Sequence, residues 1–235
     1  MADDVKLKPK GSCLGKLVTL VALAGVAGLA AALYFIGQPQ DLSDLKPAAP
    51  GKQARDLRTV LKNAVDRSYE VPLTEEEINL YLKQTLAAKQ GGLLGEAVVL
   101  SGVRVRLEEG RAEIIIERMA MGYPLTLSMY VRVEQTLDMK GKPSTSILRD
   151  GGPFLPQVPR LERLVKGGRF GKLVVPQGFL LLVLPSFEKL AGLYREELRL
   201  GFEEMSRITI SEGKLVLDPR PDGGASELPG PGGTF

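Results

Sequence analysis

The chain has 235 residues, 44% of them hydrophobic, 25% charged and 6% aromatic, with a formal net charge of +3. It contains no histidine, no tryptophan and one cysteine, Cys13. Those absences exclude Ser-His-Asp and Cys-His catalysis, imidazole metal sites, thiolate zinc sites and any intrachain disulfide.

Residues 1–16 carry Lys6, Lys8, Lys10 and Lys16, and Leu17 to Gly37 (LVTLVALAGVAGLAAALYFIG) carries no charge. About 20 helical residues cross a bilayer core of about 30 Å, so 17–37 is predicted to be a transmembrane helix. The lysines ahead of the span outnumber those just after it, which places residues 1–16 in the cytoplasm and the main domain outside the cell membrane. Tyr34 and Phe35 fall near the exit, where aromatic rings suit the interface. A cleaved signal peptide is the alternative, but its apolar stretch usually runs about 7–15 residues and no small-x-small site follows here. Cys13 precedes the span and reads as an inert reduced thiol, with juxtamembrane acylation as the alternative.

Residues 38–54 (QPQDLSDLKPAAPGKQA) have no apolar period and read as a linker. Residues 55–218 are expected to form one extracytoplasmic domain, free of cysteine and so held by packing alone. Leu57, Val60, Leu61 and Val65 follow helical spacing. In VPLTEEEINLYLKQTLAAKQGG, Thr74 and Glu77 make a capping box and Leu73 and Ile78 a hydrophobic staple. The three glutamates of that first turn answer the helix dipole and need no catalytic role.

Alternation then takes over. Val103, Val105 and Leu107 alternate with Arg104, Arg106 and Glu108, and Ala112, Ile114 and Ile116 resume after a turn at 108–111. From Tyr123 to Asp138 the odd positions Leu125, Leu127, Met129, Val131 and Val133 are apolar and the even ones polar. This implies a long strand with one buried and one wet face. Ser144–Arg149 adds a strand. A turn and short helix are expected across 153–168, one short strand at 169–176, a largely helical stretch at 178–205, and a closing hairpin about Glu212-Gly213. The stripe of that helical stretch is Phe187, Leu190, Tyr194, Leu198, Phe202 and Met205. Residues 219–235, rich in glycine and proline, are expected to be a disordered tail. The order is α+β with an antiparallel sheet packed on helices.

VPLTEEEINLYL, the long alternating strands, and FGKLVVPQGFLLLVLP leading into a helix together resemble the YpmS-type family of membrane-anchored extracytoplasmic proteins. More loosely they resemble the LmeA-like and tubular-lipid-binding (TULIP) proteins. The resemblance spans about Glu70 to Asp218 and rests on pattern, with no catalytic motif. It implies a long curved sheet wrapped against a helix, with an apolar face able to hold acyl chains.

Ser186 and Lys189 match S-x-x-K, but the supporting S-D-N and K-T-G motifs are missing, and a serine after Pro185 is an expected N-cap. The Gly168–Lys172 segment is not a phosphate loop, because its first glycine is misplaced and Leu173 follows the lysine. Arg160, Arg163, Lys166, Arg169 and Lys172 recur every third residue, fit to meet lipid phosphates or simply to form a solvated rim. Nucleic acid is disfavoured by the small net charge and the lack of an aromatic RNP-like strand. The candidate lipid-binding face is Ile114, Ile116, Leu125, Leu127, Met129, Val131 and Val133, with the basic row at its mouth. The expectation is a non-enzymatic single-pass membrane protein, without cofactor or metal, whose domain binds or shields a lipid. The alternative is an envelope scaffold with a closed core and a protein partner.

Overall fold

The computed structural model describes residues 13–45, 52–90, 100–120, 122–137, 143–154 and 164–221. Helix α1 (Cys13–Ile36) comes first, and its Leu14–Ile36 segment has a mean hydropathy of 2.2 and is exposed along nearly all of its length. At 1.5 Å per residue it is about 36 Å long, enough to cross a membrane.

Helix α2 (Leu57–Arg67) is capped by Asp56, whose carboxylate accepts from the Arg58 N–H and the Thr59 hydroxyl. Strand β1 (Val71–Thr74) follows and leads into α3 (Glu75–Gln90). The β1 residues were expected only as a helix start. Buried Val71 and Leu73 alternate with exposed Pro72 and Thr74, and that period of two lets them join a sheet. The Thr74 hydroxyl accepts the Glu77 N–H at 3.2 Å, as the capping pattern requires, while the Glu77 carboxylate pairs with Arg55.

The α+β class holds, but the described residues form two antiparallel sheets. The larger contains β2 (Leu100–Glu108), β3 (Arg111–Ala120), β4 (Tyr123–Leu137), β5 (Pro143–Arg149), β6 (Lys166–Phe170) and β7 (Leu173–Pro176). Its order is β2-β3-β4-β6-β7, and β5 continues alongside β4 past Val131. Register lines up Val103, Ile116, Leu127 and Phe170 in one row and Val105, Ile114, Met129 and Gly168 in the next. These rows form one apolar face. The smaller sheet is β1 with the hairpin β8 (Arg207–Ser211) and β9 (Lys214–Asp218), in the order β1-β9-β8.

Residues 169–176, expected as one strand, instead turn sharply between β6 and β7. Gly171 takes φ +55° there, a conformation that favours glycine. Gly168 is required for another reason: a Cβ on it would lie 1.8 Å from the Ser128 carbonyl oxygen.

The stretch expected to be mainly one helix is also broken. A 3₁₀ segment (Gln177–Leu182) precedes α4 (Leu184–Leu193), the single turn α5 (Arg195–Leu198) and a π turn (Arg199–Glu203). Pro185 sits in the first turn of α4, where its missing N–H costs nothing, and Ser186 therefore falls inside the helix instead of capping it. At Tyr194 the backbone leaves helical geometry and the ring is buried. The apolar face of the large sheet, the small sheet and α2 to α5 close one core around Ile116, Leu180, Met205 and Leu217.

Residues 38–45 are not a free tether. Gln40 and Leu45 are buried, and Gln40 to Asp44 lies over the face of the sheet expected to be wet. Thr126, Ser128 and Tyr130 of β4 are accordingly buried, together with Glu113 and Ile115 of β3. A polar face alternates like a solvated one, and the sequence does not show what covers it.

Candidate functional site

A cavity of about 210 Å³ lies between the apolar face of the large sheet and the helices, and the surface it exposes is apolar although Glu197 borders it. Ile114, Val131 and Val133 form its floor, while Leu61 of α2, Tyr81 of α3 and Phe202 of the π turn cover it. Ile147 of β5 also lines it and is 49% exposed, which marks the side open to solvent. Of the other residues expected to bind lipid, Ile116, Leu127 and Met129 belong to the packed core, and neither they nor Leu125 line the cavity.

One end of the cavity is closed by a polar clamp between α3 and α5. The Glu197 Oε1 accepts from the Tyr81 hydroxyl at 2.6 Å and from Lys89 Nζ at 2.7 Å. Lys89 also donates to the Leu193 carbonyl and sits 4.6 Å from the centre of the Tyr194 ring. The Tyr81 and Tyr194 rings meet edge to face. Burial pushes the Glu197 carboxyl upward, but the hydrogen bonds from Lys89 and Tyr81 outweigh it and hold the group below its usual range. Burial, reinforced by Glu197, raises Tyr81. The clamp is therefore a carboxylate under two donors, with both tyrosines neutral. Glu197 Oε2 is buried and has no partner among the described residues. Sequence reading missed this group, because Tyr81 and Glu197 are 116 positions apart.

A second polar cluster occupies the opposite face of the sheet. Glu113, 0% exposed, accepts from the Ser128 hydroxyl at 2.6 Å and from Gln40 Nε2 at 3.1 Å, and it pairs with Arg106. Arg106 reaches Asp44 at 2.9 Å, and its hydrogen bond is the main reason the Asp44 carboxyl lies below its usual range. Arg169 lies 3.6 Å from Glu113 and donates to the Tyr130 hydroxyl. The cluster fixes the segment after α1 to the sheet.

The described members of the basic row do not gather at the cavity. Arg160 and Arg163 lie outside the described residues. Arg169 belongs to the Glu113 cluster, Lys166 starts β6, and Lys172 is exposed in the β6–β7 turn. None of these three lines the cavity. Ser186 accepts from Arg118 Nη1 at 3.0 Å and makes no bond to Lys189, so S-x-x-K builds no Ser-Lys pair. A larger cleft of about 660 Å³ at the far end of the sheet is rimmed by Glu75, Glu76, Glu108, Glu109 and Glu212. Among the described residues no group of three acidic or cysteine side chains is placed to hold a metal. The rim of that cleft is charged, whereas the surface exposed in the smaller cavity is apolar.

Comparison with protein-family models, with curated proteins and with solved structures finds no match.

Proposed function

We propose that the chain is a single-pass membrane protein, N-terminus in the cytoplasm, whose extracytoplasmic domain binds an apolar ligand such as part of a lipid acyl chain. The observation that supports this is the apolar cavity over Ile114, Val131 and Val133. A sealed apolar cavity of about 150 Å³ already takes up benzene, and drug-sized pockets start near 300 Å³. A volume of about 210 Å³ therefore suits a chain segment, not a whole lipid. Burying about six methylenes there would contribute roughly 5 kcal/mol. The rest of the molecule would leave past Ile147. The resemblance to the YpmS-type and tubular-lipid-binding proteins implies the same class of ligand.

The test is photolabelling of the full chain in lipid nanodiscs with an alkyl-diazirine probe, followed by mapping of the modified residues. Modification at Val131, Val133 or Phe202 is expected. Modification confined to α1 would remove the ligand reading and leave the envelope scaffold, whose own mark would be specific crosslinking to one membrane-associated protein.

A further inference from the structure

The end of α1 is bonded into the domain. The Lys172 N–H donates to the Phe35 carbonyl at 3.0 Å, and the Gly171 N–H donates to the Thr126 carbonyl at 2.8 Å. A Cβ on Gly171 would lie 2.3 Å from the Gln38 carbonyl oxygen and 2.5 Å from that of Ile36. No slack separates the apolar helix from the sheet, so the direction in which α1 leaves decides which end of the sheet faces the bilayer.

That end carries unexplained apolar surface. From Thr126 the strand runs three residues back to Tyr123, about 10 Å at strand rise. Tyr123 is 72% exposed, and at the same end of β3 Met119, paired with Pro124 and so on the other face of the sheet, is 58% exposed. The Arg118–Ser186 hydrogen bond brings the start of α4 to this end, just after Leu181 and Leu182, which are 65% and 75% exposed. Scattered exposed apolar residues need no account, but four at the end of the sheet to which an apolar helix is bonded do. Lys172 and Arg118 are at this end, while Glu108, Glu109 and Glu212 cluster at the other, where among the described residues only Glu108 is paired, with Arg111.

We infer that this end of the domain is seated on the bilayer beside α1, with Tyr123 and Met119 at the boundary between headgroups and acyl chains, and Lys172 against lipid phosphate. The inference rests on the reading of α1 as a membrane span. Tyrosine suits the place because its ring is apolar and its hydroxyl stays wet. Lysine attracts the anionic surface over a Debye length. The domain then has one fixed orientation to the membrane, with its acidic end turned away.

The full chain in a Cys13→Ser background, reconstituted in nanodiscs of equal parts phosphatidylcholine and phosphatidylglycerol with brominated acyl chains, tests this. A nitrobenzoxadiazole label is placed in turn through Tyr123→Cys, Met119→Cys, Tyr34→Cys and Glu109→Cys. The expected result is loss of emission at 123 and 119 comparable to that at 34, with emission at 109 unchanged. Quenching at 34 without quenching at 123 or 119 would overturn the seated pose and leave the membrane span intact. Absence of quenching at 34 would overturn both.

Discussion

Gln40 donates from its side-chain amide to the buried carboxylate of Glu113 at 3.1 Å, so the segment leaving α1 is bonded into the centre of the sheet it crosses. The backbone N–H of Gln40 makes a second bond, to the Thr126 hydroxyl at 2.8 Å. The segment that follows the apolar helix and the domain thus share one polar cluster, and damage to it should be felt on both sides.

Glu113→Ala is the direct probe. It strips Arg106, Ser128 and Gln40 of a common acceptor that is fully buried. Removing one member of a buried ion pair typically costs about 3–5 kcal/mol. Denaturant unfolding of the detergent-solubilised full chain should show a loss of that size. Arg132→Ala, whose partners Glu134 and Asp150 are less buried, should cost about 1 kcal/mol or less.

Gly171→Ala should loosen the junction without touching the core. The φ of +55° disfavours alanine, and the new methyl would meet three carbonyl oxygens of residues 35–38. Hydrogen exchange should quicken at the Lys172 and Gln40 amides while the amides of β3 stay protected.

A chain starting at Arg55 should melt below one starting at Gln38. The shorter form lacks Gln40 and Leu45, both buried against the domain. Calorimetry of the two forms decides the point. Equal melting temperatures would mean that 38–45 contributes nothing to the fold.

Ala112→Val adds two methyl groups at the cavity wall. Filling an apolar void normally leaves stability unchanged or raises it by about 1 kcal/mol. The expected outcome is an unchanged or higher melting temperature together with reduced photolabelling at Val131 and Val133.

Acid should act through the clamp. Glu197 has its folded pKa held below the ordinary 4.5, so its stabilisation is complete above pH 4.5 and is lost as pH falls through the lowered value. In Glu197→Gln that component is gone. Melting temperature should therefore fall less steeply below pH 4.5 in the variant than in the natural chain. Parallel slopes would place the acid sensitivity in other carboxylates, such as Asp218 with Arg207 and Arg220.

What the sequence determined by itself was local. The charge-free run Leu17–Gly37 prescribes an apolar helix, because hydropathy and helical rise depend only on neighbours along the chain. The fifteen-residue strand Tyr123–Leu137 and the Glu109-Gly110 and Glu212-Gly213 turns were equally legible, since alternation and turn chemistry repeat over a few residues. The tertiary structure decided everything that joins distant positions. Gln40 meets Glu113 across 73 residues, and Tyr81 meets Glu197 across 116. Whether an alternating strand turns its polar side to water or to another part of its own chain leaves no mark in its pattern. The split of the apolar face into packed core and cavity is decided in the same way, by how α2 and the broken helix from Leu184 to Glu203 settle over it. Packing of that kind is a property of surfaces brought together, and no single stretch of sequence contains it.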